Sequence, residues 1–264
     1  MTMLPKPRFL QSGDTALVVE FGSAIDRKVS ALVLALGRRV TSAAIPGVVE
    51  VVPTFRSLMV HYDPLVIPNA SLRQRIRPLL EGLRPSAAGE RCWRLPACYA
   101  EAAGPDLAEV ARRTGLSSGQ VIERHSAVTY HVYMVGFLPS FPYLGDLPSE
   151  LHLPRRENPR TNVPRGSIAI ATSLSCVYPL ASPGGWHLLG ATAAPLWDLR
   201  RDPPARIEPG DTIVFAPVSL REHEALLAKA ANGAYRLEPQ QGPKQGPEQG
   251  PEQGPEQGPE RPPR

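Results

Sequence analysis

The residues best suited to chemistry in this 264-residue chain lie between positions 130 and 186. Three loops there mix rigid turn residues with side chains that recognise ligands. Gly136-Phe137-Leu138-Pro139-Ser140-Phe141-Pro142-Tyr143-Leu144-Gly145 sets aromatics among prolines and glycines. Pro159-Arg160-Thr161-Asn162-Val163-Pro164-Arg165-Gly166-Ser167 holds an arginine and a Gly-Ser pair on constrained backbone. Ser182-Pro183-Gly184-Gly185-Trp186 is the third. Glycine lets a ligand approach backbone N–H groups, and the arginine fork matches a carboxylate or a phosphate. Each feature also has a plainer explanation. The aromatic loop reads equally as barrel packing, Arg160 as an ion-pairing surface arginine, and Gly184-Gly185 as a tight turn. His125 ends a predicted helix, where a cation suits the dipole. Asp211, after Pro209-Gly210, reads as a turn residue ahead of a strand.

Several function classes find no support. The phosphate-loop pattern GxxxxGK(S/T) and the patterns HExxH, GxSxG and GxGxxG are absent. Three cysteines, Cys92, Cys98 and Cys176, with no CxxC pair, argue against a disulfide framework and a structural zinc. Lys and Arg number 29 against 25 Asp and Glu, a net charge of +4. The basic residues come singly or in pairs such as Arg38-Arg39, Arg112-Arg113 and Arg155-Arg156, a mixed surface and not a nucleic-acid footprint. The apolar run at 31–36 is too short to cross a bilayer, and no signal-peptide core follows Met1. A soluble, cytoplasmic protein is expected, with no membrane and no metal.

The elements that must hold these loops fall into two units. Residues 8–85 read as a small α+β domain. Residues 16–21 form a strand, and a helix follows with Ile25, Val29, Leu32, Leu36 and Val40 along one face. Strands follow at 48–52 and 57–62, the latter alternating Leu58, Val60 and Tyr62. Ser71 with Gln74 predicts a capping box opening a second helix that Pro78 would interrupt. This β-α-β-β-α order is that of a split βαβ, ferredoxin-like layer. Residues 91–235 read as a β-barrel. Two short helices, at 106–113 and 117–125, precede short strands at 128–135, 167–171, 187–189 and 212–215, with Pro and Gly between them. Ser117 with Gln120 and Ser219 with Glu222 predict capping boxes, the second opening a final helix that ends near Gly233. From Gln241 a Gln-Gly-Pro-Lys/Glu unit repeats, so 238–264 is expected to be a disordered tail.

Together these segments resemble the family of the B component of 5-oxoprolinase, also named allophanate hydrolase subunit 1, a carboxyltransferase-domain family that includes Kip-like inhibitors of a sensor kinase. The resemblance runs from about residue 9 to residue 217. It rests on Gly13-Asp14, Ile45-Pro46-Gly47-Val48, the run 53–64, Cys98-Tyr99, Gly104-Pro105-Asp106-Leu107, His125-Ser126 and the three loops above. It implies a ferredoxin-like N-terminal domain followed by a cyclophilin-like β-barrel, hence an α+β chain. It further implies a hetero-oligomer, in which this chain pairs with the homologous 5-oxoprolinase C component. With the A component as well, the assembly would carry out ATP-dependent hydrolysis of 5-oxoproline to glutamate. ATP would be bound by the complex and not necessarily by this chain. Phosphorylating the oxygen of an unstrained lactam would supply both driving force and a leaving group. Some relatives instead inhibit a sporulation histidine kinase, and related domains carry out carboxyl transfer to urea; both remain alternatives. Under the resemblance Arg160 is expected to bind the anion, with Ser167, Gly184 and Gly185 as hydroxyl or backbone donors. His125 is the candidate for proton transfer, and Phe137, Phe141 and Trp186 would wall the pocket. The chain departs from the usual pattern at Ser140, at Leu174-Ser175-Cys176 and at Gly190-Ala191-Thr192-Ala193. The last two changes lose an amide and an arginine able to orient a substrate.

Overall fold

The computed structural model describes residues 7–85 and 91–241. In the N-terminal unit β1 (Arg8–Ser12) and β2 (Ala16–Glu20) form a hairpin, followed by α1 (Arg27–Ser42). Asp26 caps α1, accepting from the amides of Lys28 at 2.8 Å and Val29 at 3.0 Å. Leu32, Leu36 and Val40 are buried as the spacing predicts, whereas Ile25 precedes the helix and is exposed. Next come β3 (Val48–Pro53) and β4 (Ser57–Tyr62), the latter burying Leu58, Val60 and Tyr62.

The sheet order is β1-β2-β4-β3, with antiparallel neighbours throughout. Strands β2 and β3 therefore run parallel on either side of β4, joined by α1, which is a split βαβ. The strand β1, unforeseen in the sequence reading, takes the edge beside β2. The second helix, α2 (Asn69–Ile76), begins two residues before the predicted Ser71 cap. Pro68 supplies the extended N-cap backbone, so no Ser71–Gln74 box forms. Pro78 sits in a 3₁₀ turn (Arg77–Leu80) immediately after the helix.

The second unit runs through β5 (Arg91–Cys98), α3 (Leu107–Thr114), α4 (Ser118–Ser126), β6 (Thr129–Val135) and β7 (Pro142–Leu144). It continues with β8 (Arg160–Val163), β9 (Ser167–Ala171), β10 (Leu174–Val177), β11 (Ser182–Gly184) and β12 (His187–Ala191). It ends with β13 (Thr212–Val218), α5 (Leu220–Ala231) and β14 (Gln240–Gln241). The sheet order is β12-β9-β10-β7-β6-β13-β5-β14, and β12 pairs back onto β5 at Ala191 and Cys98. Seven strands thus close into a mixed barrel whose one parallel pair among the described strands is β5–β13. Of the three predicted capping boxes, the two in this unit form, at Ser117–Gln120 and Ser219–Glu222.

Asp211 is more than a turn residue. It is buried at the start of the parallel seam, where its carboxylate accepts from Trp93 Nε1 at 2.8 Å and from Arg91 Nε and Nη2 at 2.9 Å each.

The predicted end of this unit at 235 and start of the tail at 238 require correction. Leu237 is buried, Glu238 pairs with Arg206 at 3.0 Å, and Gln240 and Gln241 pair with Cys92 and Arg91. Strand β12 covers β5 only at its Cys98 end, so its Arg91 end accepts another strand. The rest of the repeat tail, 242–264, lies outside the described residues. Cys92, Cys98 and Cys176 are buried and unpaired with one another. Among the described residues no helix is long and apolar enough to cross a membrane.

Candidate functional site

Strand β9 is buried along its whole length because both of its faces are covered. Ile168 and Ile170 enter the barrel core, while Ala169 and Ala171 turn outward with Cys176 of β10 and Leu188 of β12. These small outward residues leave room for a second layer: Phe141, Tyr178 and Trp186 pack over them, joined by Val163 of the β8–β11 ribbon. The three sequence loops meet there, outside the barrel wall. The aromatic loop turns through left-handed backbone at Phe137 (φ 71°) and Ser140 (φ 63°). Such a conformation costs a non-glycine residue about 1–2 kcal/mol. At Ser140, the departure from the usual glycine, the buried hydroxyl donates to the Leu196 carbonyl at 2.8 Å and offsets that cost.

Between the loops lies a cleft of about 370 Å³, walled by Phe137, Phe141, Tyr143, Tyr178 and Trp186, with Gly184 and Gly185 along one side. Phe141 is the hub: its ring meets Tyr178 edge-on at 5.1 Å, Phe137 at 5.5 Å and Trp186 at 6.4 Å. Gly184 is needed for packing, because a Cβ there would lie 2.3 Å from the Tyr178 hydroxyl oxygen. Burial pushes the Tyr143 and Tyr178 phenols up, so both stay protonated hydrogen-bond donors at neutral pH. Cationic character comes from Arg155, which lines the cleft with its guanidinium 5.8 Å from the Trp186 ring centre. No carboxylate pairs with Arg155 among the described residues.

Phe137, Phe141, Gly184, Gly185 and Trp186 are thus brought together; three other expected residues are not. Arg160 is committed to Asp106, with Nη2–Oδ1 at 2.6 Å and Nη1–Oδ2 at 2.9 Å. The same carboxylate accepts from Arg156 Nη1 at 3.1 Å and from the Leu188 amide at 2.7 Å. Burial alone would raise the Asp106 pKa, but the Arg160 fork, the Leu188 amide and the charges of Arg160 and Arg156 outweigh it. The carboxyl is held below its ordinary range. Asp106 stands at the N-terminus of α3 yet caps nothing; its carboxylate instead ties the 104–107 loop to β8 and β12. The anion that Arg160 binds is this internal one.

Ser167 is buried and donates to the Pro164 carbonyl at 2.8 Å, bracing its own turn. His125 is fully buried inside the barrel, stacked on Phe215 at 4.8 Å. The Ser175 hydroxyl donates to the Ala169 carbonyl, so it accepts from His125 Nε2–H at 3.1 Å, and Nδ1 accepts the Tyr99 hydroxyl proton at 2.8 Å. Burial lowers the imidazole pKa to about 3. His125, the candidate for proton transfer, is thus a neutral histidine with both nitrogens satisfied inside the core, and it does not line the cleft. The sequence reading missed Arg155, Tyr143 and Tyr178 as cleft residues and Asp106 as the partner of Arg160. Arg155-Arg156 was visible only as a basic pair. Which of the two faces the cleft depends on the Asp106 contact, 50 residues away in the chain.

Comparison with known proteins gives a consistent relationship. Residues 7–207 match the family described as carboxyltransferase domain, subdomain C and D. The B component of the Escherichia coli 5-oxoprolinase is 41% identical over 208 residues, covering 78% of this chain and 93% of that protein. Its Bacillus subtilis namesake is 34% identical over 226 residues, covering 81% of this chain and 94% of that protein. Among solved structures, the Kluyveromyces lactis urea carboxylase superposes with a TM-score of 0.75 at 21% identity. The match covers 89% of this chain and 24% of that one, a likeness of fold.

Proposed function

The chain belongs to the carboxyltransferase-domain family, subdomain C and D, and from that membership we propose that it is a cytoplasmic subunit of an ATP-dependent 5-oxoprolinase-like complex. On this reading it converts 5-oxoproline to glutamate only together with a homologous C component and an A component. The observation that carries the reading is the 41% identity that extends across 93% of the B component of the Escherichia coli 5-oxoprolinase. The cleft suits such a substrate, since 5-oxoproline is a small flat lactam with one carboxylate. The rings of Phe141, Tyr178 and Trp186 would sandwich the lactam, and Arg155 would take the carboxylate, a role the sequence reading gave to Arg160. Phenol protons of Tyr143 and Tyr178 are available to the lactam oxygen. ATP enters as co-substrate of the assembled complex. Transfer of the γ-phosphoryl group of ATP to the lactam oxygen releases ADP. Water then adds to the ring carbon, and the ring nitrogen leaves as the amine to give γ-glutamyl phosphate. Hydrolysis of that acyl phosphate yields glutamate and inorganic phosphate.

The test is glutamate formation from 5-oxoproline and ATP by this chain mixed with its candidate C and A components. Activity should vanish when this chain is omitted. Arg155→Ala should raise KM about tenfold or more, the worth of a hydrogen bond to a charged group, with a smaller change in kcat. A stable complex that forms no glutamate overturns the reading.

A further inference from the structure

Arg155 also lines a second hollow, of about 530 Å³, on the side of the barrel facing α3. Arg112, Arg113, Arg155 and Arg156 line it, together with His187 and Pro154. Glu109 and Glu157 line it too, and Glu109 is engaged by Arg113 and Arg156 at 3.6 Å each. Arg112 and Arg155 have no carboxylate partner among the described residues. Four buried side-chain nitrogens lack a hydrogen-bond partner among the described residues, and two of them, Arg156 Nε and His187 Nδ1, belong to this lining. Buried polar atoms left unpaired are costly, so two in one hollow point to a ligand.

The chemistry of those two atoms defines the ligand. His187 is fully buried, and its Nε2 lies 2.9 Å from the Pro154 carbonyl. A carbonyl can only accept, so the proton sits on Nε2, and Nδ1 presents a lone pair that needs a donor. Arg156 Nε–H needs an acceptor, as do the guanidiniums of Arg112 and Arg155. We infer that this hollow binds a hydrogen phosphate group, whose anionic oxygens accept from the arginines while its remaining P–O–H donates to His187 Nδ1. Sulfate has the same shape and charge but no proton to donate. The inference concerns this chain alone and does not rest on its proposed activity.

The test titrates the full chain by calorimetry at about pH 8, where phosphate and sulfate are both dianions. Phosphate should bind, and sulfate should bind about tenfold more weakly, the worth of one hydrogen bond to a charged group. Arg112→Gln, on the exposed rim, should weaken both anions alike, whereas His187→Leu should abolish the preference for phosphate. Phenyl phosphate identifies the source of the group. At this pH phenyl phosphate is a dianion without a P–O–H, so it should bind no more tightly than sulfate, which marks free phosphate as the source. Binding as tight as inorganic phosphate would overturn the donated proton. Equal affinity for sulfate and phosphate, undiminished phosphate binding in Arg112→Gln, or no binding at all would overturn the inference. Glutamate formation by the reconstituted complex is read separately, so either idea can fail alone.

Discussion

Replacing Asp106 by Asn isolates the ion-pair node that joins α3, β8 and β12. The wild-type carboxylate accepts four hydrogen bonds, two from Arg160, one from Arg156 and one from the Leu188 amide. Its side chain is only 5% exposed, while Arg160 and Arg156 are 26% and 24% exposed. An Asn keeps one acceptor oxygen but turns an NH₂ toward guanidinium donors, leaves Arg160 without a counter-charge and leaves Arg156 only Glu109 at 3.6 Å. Breaking a buried pair costs about 3–5 kcal/mol, and the partly wet arginines place this case near about 3 kcal/mol. At about 2–4 °C per kcal/mol for a chain of this size, the thermal midpoint should fall by about 6–12 °C. The pH dependence follows from the sign of the shift. Asp106 has a folded pKa below its unfolded value of about 3.9, so its contribution is complete above that value and is lost as pH falls through the folded one. Urea unfolding followed by tryptophan fluorescence should therefore show a gap between wild type and Asp106→Asn that is constant near neutrality and narrows below about pH 4. A gap under about 0.5 kcal/mol at neutral pH would refute the node as a stabilising element.

The buried His125 carries a different pH signature. With a folded pKa of about 3 against about 6.5 unfolded, stability should fall by up to about 1.4 kcal/mol per unit as pH drops from about 6.5 towards 3. His125→Gln should remove that slope in acid unfolding curves and leave activity per folded chain within about threefold; a loss of 100-fold or more, about what a general acid–base contributes, with the fold intact would return His125 to the reaction. Gly184→Ala should displace the Tyr178 phenol, costing about 1–3 kcal/mol of stability and lowering kcat/KM of the reconstituted complex about tenfold. Unchanged melting and unchanged kinetics would show that Tyr178 does not shape the cleft.

What the sequence determined by itself is local. The capping boxes at Ser117–Gln120 and Ser219–Glu222, the alternation of β4 and the bounds of β9 all formed as spacing predicts, because each depends on residues a few positions apart. The three loops at 136–145, 159–167 and 182–186 were visible as unusual backbone, and the residues along them that resemble the family were too. Tertiary structure decided everything that depends on distant pairing. Closure of the barrel sets β5 beside β13, with Asp211 bonded to Trp93 across 118 residues, a contact no local period encodes. That closure places His125 inside and neutral. It sends Arg160, the arginine in the recognisable motif, to Asp106, and so leaves the cleft to Arg155, which no local pattern distinguishes from its neighbour Arg156. An arginine's chemistry is the same in every sequence; whether it meets a ligand depends on which carboxylate the fold has already put within about 3 Å of it.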